Sequence, residues 1–277
     1  MVQPAWKTPR DESEWPDDEN GVTLLQRWVE RPDGSLELVE IPLTPELFLD
    51  PQLEDKMVQG EFHADLMAEF KELLGRYFHT QRGVKVLMDV KHPLGRGLPG
   101  PAPDISIIRG VRNPERKRRS FNIVKEGVVP CFILEIVSPS DARIRRTDEV
   151  DKVKLYEHIQ VEEYLLVDVP RRGTEGLFRL KGYRLDLDHR YRLIEPDEHG
   201  RLACRTVGLL FGVAPDGDRI EVFEIASGQR LRTPQEEVEA REKAERKVAR
   251  AEKARQVAEE EVARLRAEIE QLRRLKS

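Results

Sequence analysis

Two acidic residues stand where a carboxylate is hard to accommodate. Glu135 lies between Phe132, Ile133, Leu134, Ile136 and Val137, and Asp104 opens the run DISII directly after Pro103. A buried carboxylate is costly unless it is hydrogen-bonded, ion-paired or bound to a metal. Neighbouring strands would bring Asp104 and Glu135 side by side. A hard divalent cation, Mg²⁺ or Mn²⁺, takes such a pair and keeps its other positions for water and phosphate oxygens. Asp148, Lys152 and Tyr156 then recur every fourth residue, so they share one helix face. An ammonium at Lys152 on a helix across the strand ends would polarise an attacking water or offset charge on a phosphorane-like transition state.

Cationic side chains flank both acids. Arg109, Arg112, Arg116, Lys117, Arg118 and Arg119 crowd one loop with Glu115 as its single acid, and Arg143, Arg145 and Arg146 follow Glu135. Each cation that neutralises a phosphate releases a counterion, so these clusters read as a nucleic-acid surface. Phe121 is the one aromatic nearby, which gives little support to single-strand stacking.

The elements that must position these groups are legible as patterns. Residues 22–41 form two alternating runs around Pro32-Asp33-Gly34, a hairpin signal. Thr44 and Pro45 supply an N-cap and first turn for a short helix. Phe62, Leu66, Phe70, Leu73, Leu74 and Tyr77 recur at helical spacing, with Gly83 as the stop. Strands are expected at Val84–Val90, at DISIIRG, at VVPCFILEIVS, at VEEYLLVDV, across 176–195 and at RIEVFEI; an amphipathic helix is expected over 146–160, with Val150, Val153 and Ile159 apolar. Tyr156 and Tyr164 are expected as core residues with a wet hydroxyl. SPS at 138–140 reads as a loop closing its strand.

The chain has 277 residues, 39 % hydrophobic and 36 % charged, with net charge −5. That charge excludes a uniformly basic protein, and the charged fraction exceeds the about 25 % of ordinary domains. The excess collects after Thr233, in a Gly-free stretch rich in Ala, Glu, Lys and Arg. There Ala244, Val248, Ala251, Arg255, Ala258, Val262, Leu265, Ile269 and Leu272 follow a heptad seam. The organisation read from this is a disordered or loosely docked leader at 1–20, a folded domain at 21–232, and a C-terminal helix at 233–277 whose heptads, well formed only in their last part, point to a coiled coil, with a solvated single helix as the alternative. Cys131 and Cys204 are the two cysteines, too few for a disulfide scaffold or a multi-cysteine zinc site. No apolar run is long enough to cross a bilayer. The expectation is a cytoplasmic protein with no membrane partner.

PAPDISII around Asp104, ILEIVSPS around Glu135 and then DEVDKVKLYEHIQVEEYLLVD resemble the Uma-two family of restriction-endonuclease-like domains, in the PD-(D/E)XK nuclease superfamily. The resemblance runs from about Leu43 to Asp168 and more weakly to Ile225. It implies an α/β (α+β) fold with a four-stranded mixed sheet flanked by helices, a Mg²⁺-dependent phosphodiesterase site and DNA as substrate. On the matching positions Asp104 and Glu135 would be metal ligands. The superfamily lysine two residues after the second acid is Val137 here, and Lys152 on the following helix takes its place, with Lys154 ranked second. GEFHAD stands where the family shows an acidic run, making Glu61 and His63 accessory candidates. The expected function is a Mg²⁺-dependent DNA endonuclease; the alternative is a catalytically inactive nuclease fold serving as a nucleic-acid-binding or assembly module. A homodimer or higher homo-oligomer through the C-terminal helix fits either.

Overall fold

The computed structural model describes residues 24–53, 55–57, 61–95, 97–137, 142–169 and 177–275. The expected leader and the SPS loop fall outside these residues. The chain divides into two units, Met1–Leu231 and Arg232–Ser277.

The described part of the first unit opens on the anticipated hairpin. β1 (Leu24–Glu30) and β2 (Leu36–Pro42) pair antiparallel from Leu24↔Pro42 to Glu30↔Leu36. Gly34 supplies the left-handed turn residue (φ 81°), and the Asp33 carboxylate accepts from the Ser35 amide at 2.9 Å. Thr44 caps α1 (Pro45–Leu49), its hydroxyl accepting from Leu47 N at 3.3 Å. The two-residue β3 (Lys56–Met57) adds to the other edge of β1.

α2 (Glu61–Phe78) leads to the central sheet, which is built from β4 (Lys85–Met88), β5 (Ile105–Ile108), β6 (Phe132–Val137), β7 (Glu163–Asp168), β8 (Arg179–Leu185) and β9 (Tyr191–Leu193) in that spatial order. Only β6 and β7 run parallel; every other pair is antiparallel. The sheet thus has six strands rather than the four the resemblance implied, because the alternating segment after β7 folds back as the β8–β9 hairpin along its free edge. A short α3 (Ile123–Glu126), capped by Asn122, closes the loop before β6.

Strand alternation sorts β6 between two cores. Phe132, Leu134 and Ile136 join Met67, Phe70, Leu73 and Leu74 of α2, whereas Ile133 and Val137 join Tyr156, Val161 and Tyr164. Glu135 shares the parity of Ile133 and Val137. A second antiparallel sheet, β10 (Leu202–Cys204), β11 (Leu209–Val213) and β12 (Ile220–Glu224), covers the α2 side of the core, with Phe132 and Phe211 stacked at 5.7 Å. Only β12 stands out in the sequence pattern. β10 is too short to show alternation, and Gly208 (φ 74°) interrupts the run before β11. Phe62, placed by periodicity on the apolar face of α2, is 51 % exposed and stacks on Phe178 at 6.0 Å.

The expected helix over 146–160 is not one regular helix. α4 (Ala142–Arg146) passes through a π-helical turn (Thr147–Asp151) into α5 (Lys152–His158). The side chains it buries are Thr147, Asp148, Lys152, Leu155 and Tyr156, and Val153 and Ile159 are only partly covered. The charged stripe faces the sheet because Glu135 is there to receive it. Such one-turn π insertions concentrate at functional sites.

The second unit is α6 (Pro234–Leu275). A capping box starts it: Thr233 Oγ1 accepts from Glu236 N at 3.2 Å, and Glu236 Oε2 accepts from Thr233 N at 2.9 Å. Ion pairs one turn apart, Arg241–Glu245 at 2.9 Å and Glu242–Arg246 at 3.1 Å, stiffen it modestly. Among the described residues no helix is long and apolar enough to cross a membrane.

Phe211 is fully buried. If the second sheet is an integral wall of the core, Phe211→Ala costs about 3–5 kcal/mol in urea unfolding. A loss below about 1 kcal/mol would mean that β10–β12 are an appendage.

Candidate active site

The two acids meet where β5 and β6 begin to part. The last register pair is Ile105↔Leu134, and the next step brings Asp104 opposite Glu135. Their side chains replace the ladder there: Asp104 Oδ2 accepts from Ile136 N at 2.6 Å, and Glu135 Oε2 accepts from Asp104 N at 3.3 Å. Asp104 Oδ1 lies 3.2 Å from His63 Nε2, delivered by the first turn of α2. Glu135 Oε1 accepts from the Tyr156 hydroxyl at 2.9 Å and lies 3.0 Å from Lys152 Nζ. Lys152 Nζ also lies 2.8 Å from Asp148 Oδ1, a short ionic contact poorly aligned for a hydrogen bond. Its remaining side faces the Phe48 ring of α1, 4.1 Å from the centroid.

Burial sets the electrostatics. Glu135, Asp148 and Lys152 are all at most 3 % exposed. Loss of hydration raises the Glu135 carboxyl to about 8 against the pull of Lys152, with repulsion from Asp104 and Asp148 adding to the rise. Asp148 is raised to about 6, again chiefly by burial and against Lys152. Burial works against the Lys152 charge, yet Asp148, Glu135 and Asp104 together outweigh it and hold the ammonium protonated. His63 is likewise raised: burial opposes the charge, but Asp104 favours it. Tyr156 and Tyr164 are fully buried, and their hydroxyls donate to Glu135 and to the Asp148 carbonyl; the expected wet hydroxyls are absent because the site itself consumes them.

The structure therefore assembles Asp104, Glu135, Lys152 and His63. Lys154 is exposed on another face of α5. Glu61 starts α2, but its side chain lies outside the described ones, as does that of Arg143. Of the basic residues, Arg118 is spent on Glu126 at 2.9 Å and on the carbonyls of Asn113 and Arg116, so its guanidinium staples the loop rather than facing a ligand. Arg145 is held bidentately by Asp168 at 2.9 and 2.6 Å, with Glu149 a further partner at 2.9 Å. Arg116, Lys117, Arg119 and Arg146 are exposed.

Sequence reasoning missed four contributors. Phe48 seals Lys152 from a helix more than a hundred positions away, a contact without local signal. Asp89, in left-handed backbone just past β4 (φ 49°), donates its amide to the Asp104 carbonyl at 3.2 Å. Partial burial and Asp104 raise its carboxyl, against His63 and Lys152. Across the sheet, Glu135↔Leu166 and Leu166↔Lys181 continue the row to β8, and Lys181 and Arg179 help line a cavity with Arg145, Val137 and Asp168. The i, i+2 spacing of these cations was the available cue.

The donor set fits a hard divalent ion. Asp104, Glu135 and Asp148 share the single ammonium of Lys152, so when all three acids are ionised and His63 is neutral two negative charges are left for a bound cation or for protons to balance among buried groups. Among the described residues no three His, Cys, Asp or Glu side chains converge to hold a metal ion, so Asp104 and Glu135 are the carboxylates that would have to hold it, with water and phosphate oxygens completing its shell.

A family model described as Uma2, "Putative restriction endonuclease", matches residues 42–242. The chain belongs to the Uma2 family. Among solved structures, the Uma2 chain is similar to a protein titled "putative nuclease belonging to DUF820" from Anabaena variabilis, with 19 % identity, 51 % of this chain and 74 % of that chain covered, and a TM-score of 0.35. No curated protein matches. Asp104, Glu135 and Lys152 are residues on which the sequence resemblance rested, and the fold joins them through Glu135, whose carboxylate meets the Asp104 amide and the Lys152 ammonium.

Two outcomes follow from the charge balance. Lys152→Met removes the group that holds the Glu135 and Asp148 carboxyls down, so both must take up protons or stay unpaired, and urea unfolding should show a loss of about 3–5 kcal/mol. Glu135 is raised in the folded state above its ordinary 4.5, so its contribution is fully present below that value and is lost as pH rises to about 8. Glu135→Gln should flatten the decline in melting temperature across that window; an unchanged slope would show that Glu135 does not titrate there.

Proposed function

We propose that this Uma2 chain is a Mg²⁺-dependent DNA endonuclease that hydrolyses phosphodiester bonds. The observation that carries the reading is the interlock of Asp104 and Glu135 on adjacent strands, with Lys152 braced against the second acid. Asp104 and Glu135 would hold the ion. Mg²⁺ or Mn²⁺, when bound, supplies a Lewis acid for the scissile phosphate and its attacking water.

The chain's own groups do the rest. Lys152 is a positioning residue in this arrangement: it touches Glu135, Asp148 and Phe48, so it fixes the Glu135 carboxylate and lends a positive charge to the site. Orienting water itself, the role expected from sequence, would require Phe48 to give way. His63 orients Asp104 and, with its raised proton affinity, can hold a proton beside the reacting phosphate. The reaction adds water across one P–O ester bond, leaving a phosphate monoester on one strand end and a hydroxyl on the other. Arg116, Lys117, Arg119 and Arg146, with Arg179 and Lys181, are the exposed cations that would hold the backbone. A cytoplasmic setting goes with this reading, in which the buried thiols of Cys131 and Cys204 stay reduced.

A second reading rests on the completeness of the internal pairing: every Asp104 and Glu135 oxygen already has a partner. On that view the fold binds DNA without turnover. Incubating supercoiled plasmid with the protein and Mg²⁺ or Mn²⁺ separates the two. The nuclease reading expects nicked or linear product, and at least about a hundred-fold loss in Asp104→Asn and in Glu135→Gln, as when a transition-state interaction is removed. Cleavage undiminished in both variants would overturn it. Salt-sensitive binding with no product in any metal would favour the second reading. In either case, replacing Arg116, Lys117 and Arg119 by Ala should lower the slope of log K against log salt by roughly 0.9 for each phosphate that is no longer neutralised.

A further inference from the structure

α6 carries a seam whose composition names its occupant. With Val248, Arg255, Val262 and Ile269 as a positions, the d positions are Ala244, Ala251, Ala258, Leu265 and Leu272. Val248, Val262, Leu265 and Ile269 are each about half exposed, at 56 %, 46 %, 45 % and 51 %. A 42-residue helix with this seam has its apolar groups aligned at 3.5-residue spacing, the period of a left-handed supercoil. We propose that α6 pairs with α6 of a second copy of this chain as a parallel, in-register, two-stranded coiled coil.

Three features select that geometry. β-Branched residues at a with Leu at d favour two parallel strands over three or four. The flanking charges agree: in a parallel pair each g residue faces the e residue five positions on in the other helix. That sets Lys247 against Glu252 of the partner subunit and Glu261 against Arg266 of the partner subunit. Ala240 and Ala254 face Glu245 and Glu259, so these four pairings contain no like charges. An antiparallel register that sets Glu245 against Arg266 sets Glu252 against Glu259, acid on acid. Finally, Arg255 is the one charged residue at an a position between Val248 and Ile269. It pairs with Glu259 of its own helix at 3.3 Å, so it tolerates the open edge of a dimer, and it penalises larger bundles that would enclose it. The three Ala d positions make the first half weak, so pairing is anchored by Val262, Leu265 and Ile269.

Light scattering on the full chain tests this. The wild type should run at twice 32.1 kDa, and Leu265→Glu should run at 32.1 kDa with unchanged helicity of the folded unit. Arg266→Glu should weaken the dimer at least about ten-fold by opposing two acids, and the double change Glu261→Arg with Arg266→Glu should restore it. A Val262→Cys chain should form an interchain disulfide on mild oxidation, because in-register strands juxtapose identical a positions; Cys131 and Cys204 are buried and do not compete. A wild-type mass of 32.1 kDa at high concentration, a dimer indifferent to Leu265→Glu, or a dimer that Val262→Cys fails to cross-link would overturn the proposal.

Discussion

The site depends on one unfavourable placement: a carboxylate, Glu135, in the middle of a strand that is buried from end to end. The side chain is buried, so the protein must provide the counter-charge and the hydrogen bonds. Lys152 and Tyr156 do so from the face of α5, and the Asp104 amide does so from the neighbouring strand. The supply overshoots in sign. Asp148 steadies Lys152 but adds a third acid, and the pocket is left with more negative charge than one ammonium can balance. A proton or a divalent cation resolves that excess, and burial alone already pushes the Glu135 carboxyl towards holding a proton.

The architecture serves this placement. Parallel pairing of β6 and β7 requires a crossover connection, and here that crossover is helical and lays Lys152 against Glu135. The π-helical turn within it carries Asp148 into register with Lys152. On the other side of β6, β5 begins immediately after Asp104, so that its acid takes over from the backbone ladder. α2 contributes His63 from its first turn while its later turns form the main core. Catalytic candidates and packing residues thus alternate along the same elements, so the site is as rigid as the core behind it.

Much of this was legible from residue order. Alternation in β6 fixed the face of Glu135, and four-residue spacing fixed the common face of Asp148, Lys152 and Tyr156, because both signals are local. The sheet's six strands were less visible, since the two edge strands depend on a hairpin that any alternating segment could make. The π-helical turn was invisible: it answers a charge 13 residues upstream of Asp148 rather than any propensity in the helix itself. Phe48, Asp89 and the Arg179–Lys181 pair come from segments distant in sequence, and only tertiary contact assigns them. Arg118 and Arg145 looked like ligand-facing cations because sequence counts charges without showing their partners, which are Glu126, Asp168 and Glu149.

The claim beneath the functional reading is that Asp104 and Glu135 share a divalent ion. Anomalous diffraction from crystals soaked in Mn²⁺ addresses it without relying on turnover. A single manganese peak within ligand distance of both carboxylates is the expected result. A well-ordered site with no peak there, Asp104 still on His63 and Glu135 still on Lys152, would contradict the account.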